Sequence, residues 1–347
     1  MKFFLVSLYV YTGEDDNIRI NTIYDLLAEK HDVTIITTDF NHRTKTKHNI
    51  IKSNRKIVFL KVPEYKKNIG FKRFYSHGIF ALRLYSFLKS IDKKPDKIYC
   101  ILPTSSSGYI CYRYCKKNNI PLAIDIIDLW PESFVAIMPF SRLFSLITYP
   151  WKILSFFLYK NADLVFSESI EYAKYADKHR SKSKVLPVYL GADIDKYDQL
   201  INKSNININK PKDEIWIAYG GGLGNSYDFD VILDALLQLK KEGIENIKFW
   251  FIGGGIKQKY IENFIINNNL NVEITGFLPY HDYLKYLSLC DIAVNSFNKN
   301  TKVVHSYKFN DYILCGLAIV NNLKGETADF ITKYNIGINF DYSDINL

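Results

Sequence analysis

Several common classes of protein leave marks that this chain lacks. It has five cysteines in 347 residues: Cys100, Cys111, Cys115, Cys290 and Cys315. Their number is odd and none forms a CxxC pair, so they read as reduced thiols rather than a disulfide framework. No His/Cys cluster has metal-ligand spacing, and no metal site is expected. No apolar run reaches the ~20 residues that a membrane-spanning helix needs. Lys2 to Val10 is apolar but too short for a signal sequence, no small-residue cleavage site follows it, and it reads as a first strand. Internal repeats and low-complexity tracts are absent, although Asn, Lys and Ile are abundant. Negative charge is the scarcer sign, with 36 Asp and Glu against 45 Lys and Arg, a net charge of +9. That excess points to a nucleic acid, an anionic membrane or a phosphorylated ligand. Nucleic acid is not expected, because no recognition motif is present.

What is present is an alternation of strands and helices. Nearly half the residues are hydrophobic, and the length exceeds a usual single core, so two domains are expected. Strands read at Lys2–Leu8, Val33–Thr38, Lys56–Val62, Lys97–Leu102, Leu122–Ile126, Leu164–Ser167 and Lys184–Pro187, with a helix at Asn17–Lys30 and helical stretches between most of them. A second series follows at Ile215–Tyr219, Ile247–Ile252, Val272–Thr275, Ile292–Asn295, Leu317–Val320 and Gly337–Phe340. Such alternation means α/β domains with parallel, doubly wound sheets. The polar stretch from Asp193 to Asp213 reads as a connection, giving domains over 1–195 and 214–347 with a linker over 196–213. Ligands of such domains bind at the carboxyl ends of the strands.

Ser306 to Val320, SYKFNDYILCGLAIV, is the most informative stretch. Ser306 is a good N-cap, Phe309, Tyr312 and Ile313 share one helical face, and Lys308 and Asp311 lie on another. Gly316 ends the helix and an apolar strand follows. Amides near Ser306 and Tyr307 suit a phosphate, and a carboxylate one turn in suits a sugar's hydroxyls, although an ordinary surface helix would read the same way. Gly220-Gly221-Gly222-Leu223-Gly224 follows a strand and precedes a helix, and Gly253-Gly254-Gly255 follows the next strand. Glycines there let backbone amides approach a pyrophosphate, or merely make a tight turn. Neither loop fits the nicotinamide pattern of GxGxxG with an acidic residue ~20 further on.

SYKFNDYILCGLAIV resembles the nucleotide-sugar motif of family 4 retaining glycosyltransferases, which have the GT-B fold: two Rossmann-like, doubly wound domains facing a cleft. Four further stretches resemble the same family. Asp125 to Ser133 (DIIDLWPES) is similar to the DxRDLWPES segment of bacterial surface-polysaccharide members. Asp163 to Ser169, after Ala162, is similar to its ADxVxxxS strand, Leu190 to Asp193 to its LGAD turn, and Tyr219 to Gly224 to its glycine loop. The resemblance implies that Gly221, Gly222, Gly224, Gly254, Lys302, Ser306, Tyr307 and Lys308 serve the donor's diphosphate. It implies that Asp311, where the family has a ribose-binding glutamate, holds the ribose, and that the turn around Phe277 holds the base. Three departures stand out. Val303 replaces a second glutamate, Ile127 replaces an Arg or a sugar-contacting His, and Asn225 to Asp228 replace an Arg and a Lys. The resemblance also implies a terminal helix, which the C-terminal domain is expected to lack.

Asp128 follows a parallel strand and Glu132 lies four residues on, so both are candidate catalytic carboxylates, with Asp128 orienting or deprotonating the acceptor hydroxyl. The alternative is a cap or a structural carboxylate. Asp39, His42 and Arg43, with Lys45 beside them, follow another strand and either reach an acceptor phosphate or decorate a loop. Lys66–Lys89 and Phe134–Tyr159 are basic and aromatic, and no acid occurs between Glu132 and Asp163. These stretches read as an interfacial patch for the anionic cytoplasmic face of an inner membrane, or as core-facing helices with solvated lysines. The expected protein is a cytoplasmic, membrane-associated glycosyltransferase. It takes a UDP-linked sugar to a lipid-linked or glycan acceptor in capsular, O-antigen or exopolysaccharide synthesis, with retention and without a cofactor or metal. The alternatives are a nucleotide-sugar epimerase of the same fold and a non-catalytic nucleotide-sugar-binding protein.

Overall fold

The computed structural model describes the chain apart from residues 11–18, 43, 49–53, 68–69, 103, 138–140, 192–193, 300, 302, 304–305 and 342–347, and the side chains of 134, 136, 137 and 141. It divides into two compact units, Met1–Leu190 and Gly191–Leu347.

The first unit contains β1 (Lys2–Val6), β2 (Asp32–Thr38), β3 (Phe40–Asn41), β4 (Thr46–Lys47), β5 (Ile57–Leu60), β6 (Lys97–Leu102), β7 (Leu122–Ile126), β8 (Leu164–Ser167) and β9 (Leu186–Pro187). Seven of these form one sheet in the order β5-β2-β1-β6-β7-β8-β9, every pairing parallel. Leu5, Val6, Ile35, Ile36, Ile98, Cys100 and Ile124 are at most 1% exposed, as expected of parallel strands covered on both faces. β3 and β4 form a small antiparallel hairpin beyond β2 that the sequence pattern did not announce. β1 stops at Val6 rather than Leu8, because Ser7 Oγ turns to the backbone of Tyr9.

The second unit contains β10 (Ile215–Gly220), β11 (Ile247–Ile252), β12 (Val272–Ile274), β13 (Ile292–Asn295), β14 (Ala318–Asn321) and β15 (Gly337–Asn339). Their order is β12-β11-β10-β13-β14-β15, again all parallel. Alternate residues feed two cores. Trp216, Ala218, Trp250 and Ile252 join one with Phe309 and Tyr312, while Tyr219, Phe249 and Phe251 join the other. In both units the first strand lies between the second and the fourth strand of its sheet. This is the doubly wound order, whose crevice opens where the strand order reverses.

The connection differs from its sequence reading. Most of the stretch read as a linker over 196–213 lies in the second unit's own structure, and the units part at Leu190 and Gly191. Ile194–Lys203 is a helix whose Tyr197 and Leu200, three apart, pack against Leu284. Its polar residues form the outer face, which is why the composition resembled a tether. The aromatic run after Glu132 forms three helices, Glu132–Ile137, Ser141–Ile147 and Tyr149–Asn161, the last with Pro150 in its first turn.

Candidate active site

In the second unit, the loops after β10 and β13 flank the point of strand reversal. The two glycine loops interlock there. Gly221 N–H donates to Ile252 O and Leu223 N–H to Gly254 O, both at 2.9 Å. Gly221 has φ +122° and Gly253 φ +149°, and a Cβ on Gly253 would sit 2.0 Å from Gly221 O. These glycines let two backbone loops touch, so the 253–255 loop acts as a close-packing turn and the amides of Gly221 and Leu223 are spent on the other loop. Gly222 is exposed, and Gly222 and Gly224 have open space where a side chain would stand. Gly254 packs beside the ring of Phe277, which is 76% exposed.

The helix Tyr307–Leu314 is placed against this loop by two side chains. Gly220 N–H donates to the Tyr312 hydroxyl at 2.9 Å. The stem of Lys308 lies under Gly221, its Cδ 2.9 Å from where a Cβ would be. Lys308 is buried, and its ammonium has no hydrogen-bond partner among the described residues. It rests among three rings, 3.8 Å from the centroid of Tyr227, 4.1 Å from Tyr219 and 5.2 Å from Phe297. The rings favour the cation, but burial pushes its pKa well below that of an ordinary lysine. Ser306 is buried and starts the helix without a side-chain cap bond, and Tyr307 is 42% exposed. Lys302, the other expected cation, lies outside the described residues. Lys257, which the sequence reading did not single out, lines a cavity of about 240 Å³ with Asn225, Tyr227 and Asp228.

Asp311 is not presented as a bare carboxylate. Its Oδ1 accepts from the hydroxyl of Tyr197 and, at 2.8 Å, from that of Tyr280. The two hydroxyls are 2.6 Å apart, and Tyr283 adds a further hydrogen bond. Burial raises the pKa of this carboxyl to about 6 against the pull of those donors. Asp311 was expected to offer its oxygens to ribose; in this structure its Oδ1 accepts from tyrosine hydroxyls.

In the first unit the two expected catalytic carboxylates have different hydrogen-bond partners. Asp128 accepts from Trp130 Nε1 at 2.6 Å and from Ser133 Oγ, so both oxygens serve its own turn. Burial raises its pKa, opposed by those donors. Glu132 instead meets Lys152 Nζ at 3.0 Å and the Tyr175 hydroxyl. Asp39 is engaged by Lys47 Nζ at 2.9 Å and by the Val62 amide at 2.8 Å. His42 Nδ1 lies 2.7 Å from Tyr65 Oη and 3.1 Å from Lys45 Nζ. Arg43 lies outside the described residues.

Sequence reasoning also missed an inward group. Arg73, read there as part of a basic surface, is buried, and its Nη2 donates to the Tyr9 hydroxyl at 2.6 Å. His77, one turn on, is buried and stacked on Trp130, with ring centroids 6.0 Å apart. The signal was present: positions 73, 77, 80, 84 and 88 form one stripe of the helix Phe71–Ser90, and all five are buried.

Among the described residues no group of three or more His, Cys, Asp or Glu is arranged for a metal, and no helix is long and apolar enough to cross a membrane.

The whole chain has solved counterparts. Sucrose-phosphate synthase from Thermosynechococcus elongatus matches with a TM-score of 0.72 at 15% identity, over 99% of this chain and 87% of that one. Anabaena HepE in complex with UDP-glucose matches at 0.65 and 14%, over 100% and 89%. WaaG, a glycosyltransferase involved in lipopolysaccharide biosynthesis, matches at 0.64 and 14%, over 100% and 88%. A UDP-GlcNAc 2-epimerase from Methanocaldococcus jannaschii follows at 0.60 and 12%, over 98% and 89%. The protein has a two-domain, Rossmann-like GT-B fold. Within it, residues 201–300 match the family described as glycosyl transferases group 1, which supports a glycosyltransferase. No curated protein sequence matches the chain.

Proposed function

We propose that this chain is a glycosyltransferase that takes its sugar from a UDP-linked donor bound in the second unit. The observation that carries this reading is Lys308, an ammonium without a hydrogen-bond partner among the described residues, buried beneath the glycine loop at the point of strand reversal. Glycosyl transfer proceeds through an oxocarbenium-like state while charge builds on the leaving diphosphate. A preorganised cation in a dry site is worth more there than in water. Lys308 supplies that cation in a chain whose loop carries Asn225 to Asp228 where the resembled family has an Arg and a Lys. The family segment over 201–300 and the UDP-glucose complex of HepE support the nucleotide-sugar reading. No metal ion enters the proposed mechanism.

The finer reading rests on the resemblance: retention at the anomeric carbon, and an acceptor, lipid-linked or glycan, of a bacterial surface polysaccharide. Asp128 acts here as a positioning residue that fixes Trp130. The epimerase neighbours keep one competing reading open. Release of UDP from a UDP-sugar that begins only when acceptor is added supports transfer. Release without acceptor, or interconversion of UDP-sugars, would overturn it.

The proposed location is the cytoplasmic face of an inner membrane. Phe71, Tyr75 and Leu82 are 83%, 52% and 63% exposed, and Leu143, Leu146, Ile147, Tyr149 and Ile153 are at least 50% exposed. Phe74 of the helix Phe71–Ser90 and Trp151 of the helix Tyr149–Asn161 are in edge contact at 5.6 Å. Lys72, Arg83 and Arg142 stand exposed on the same helical segments. Binding to anionic vesicles that weakens as salt rises is the expected flotation result, and equal recovery with neutral vesicles would contradict it.

A further inference from the structure

The second unit holds a cavity of about 240 Å³ that Ser306, Lys308 and Asp311 do not line. Its wall comes from segments that follow three neighbouring strands. Asn225 and Tyr227 to Asp230 follow β10, Lys257 and Tyr260 follow β11, and Asn298 follows β13. Tyr227 is shared: it lines the cavity, and its ring meets Lys308 Nζ at 3.8 Å. The cavity therefore adjoins the caged ammonium without including it.

The segments are pinned to one another. Asn298 N–H donates to Ser226 O at 3.1 Å, Ser296 Oγ to Asp228 O at 2.8 Å, and Lys257 N–H to Leu223 O at 3.0 Å. Their polar side chains are only partly used. Asp230 Oδ1 accepts from the Tyr260 hydroxyl at 2.8 Å and Asp228 Oδ1 from the Val231 amide at 3.4 Å, which leaves a second oxygen on each carboxylate. Asn298 Nδ2 donates to Asn225 O, which leaves its Oδ1. Lys257 is half-buried, and its Nζ lies 5.4 Å from the Tyr260 ring centroid, with no ion pair or hydrogen bond among the described residues.

The lining carries one ammonium and two carboxylates. The excess acid repels a phosphate or a carboxylate, and Lys257 works against a metal ion or an ammonium. A neutral polyhydroxyl suits both signs, because each hydroxyl donates to a carboxylate or amide oxygen and accepts from an ammonium. Tyr227 and Tyr260 add apolar wall. At ~30 Å³ per water the space is that of about eight waters, enough for one pyranose ring and too little for two. From this lining we propose that the cavity binds a single neutral sugar unit, at a site separate from that of the donor's own sugar. It gives the second unit a hold on a saccharide whether or not a nucleotide is bound.

The test is saturation-transfer NMR of glucose, galactose, N-acetylglucosamine and rhamnose with the full chain, with and without saturating UDP. At least one of the four should bind in both conditions. Asp230 is exposed and Lys257 half-buried, so folding is not at stake in Asp230→Asn or Lys257→Met, and each should weaken that sugar about tenfold. Lys308→Gln, at the donor site, should leave it unchanged. Glucuronate, a pyranose with a carboxylate, should bind more weakly than the neutral sugar. Binding of none of the four, or binding indifferent to both cavity substitutions, overturns the proposal. So does glucuronate binding as tightly as the neutral sugar. Displacement of the sugar by UDP also overturns it and would assign the cavity to the donor. Failure of wild-type protein to bind UDP would instead count against the donor reading, and the titrations without UDP would still judge this cavity.

Discussion

Arg19 in the first unit and Lys308 in the second are both buried cations, and they differ in what surrounds the charge. Arg19 Nη2 donates to Asp125 Oδ1 at 3.0 Å, its Nε meets Oδ2, and Nη1 reaches the carbonyl of Val188. Tyr99 donates to the same carboxylate. Burial works against the Arg19 charge, but Asp125 more than offsets it, and its pKa is raised. Every part of that network is internal. Lys308 is buried to a similar degree but, among the described residues, its ammonium meets rings and no hydrogen-bond partner, and its pKa falls. An ion pair that completes itself ties strand ends together. A buried cation without a partner costs stability and is a candidate for binding a ligand.

The largest effect should come from breaking the completed pair. Asp125→Ala leaves the Arg19 guanidinium buried without its carboxylate and should cost about 3–5 kcal/mol, read as a large fall in the unfolding midpoint. Exchanging both residues for apolar ones of similar volume should recover much of the loss. UDP affinity of the folded protein should be unchanged. A small loss from Asp125→Ala would mean that the pair is not the tie described.

Asp311 gives the next effect, and a pH signature. Its folded pKa of about 6 stands above the ~3.9 of an unfolded aspartate, so the folded state prefers the protonated form. Stability is therefore favoured below pH ~4 and is lost as pH rises through about 6, by an amount on the order of 2–3 kcal/mol. Asp311→Asn keeps an acceptor for Tyr197 and Tyr280 and should flatten that slope while stabilising the protein at neutral pH. Denaturant titrations at pH 4.5 and 7 check this, and an unchanged slope in the variant would contradict it.

The strands of both sheets were legible because fully buried parallel strands read as apolar runs, such as Ile35-Ile36 and Phe249 to Ile252. The helix Ile194–Lys203 was not, because two inward residues in a polar stretch leave little periodicity. The loop Gly220 to Gly224 and the helix from Ser306 were found from local composition. Their close approach was not, since it depends on the missing side chain of Gly221, whose Cβ would stand 2.9 Å from Lys308 Cδ. The rings around Lys308 come from positions 219, 227 and 297, which no local pattern links. Tyr197 meets Asp311 across 114 residues, so the tyrosines that occupy its carboxylate could not be read from the motif around it. Arg73 and His77 were hidden by neighbours that made their helix look basic and surface-bound.

The central claim is that Lys308 is held for a diphosphate. Calorimetric titration of UDP and of uridine into wild type and Lys308→Met tests it most directly. Loss of a charge-assisted contact of ~1.5–3 kcal/mol should weaken UDP binding about tenfold to a hundredfold. Uridine, which has no phosphate, should bind both proteins alike, and the variant should unfold no earlier than wild type. Equal UDP affinity in the two proteins, or equal losses for UDP and uridine, would contradict the account.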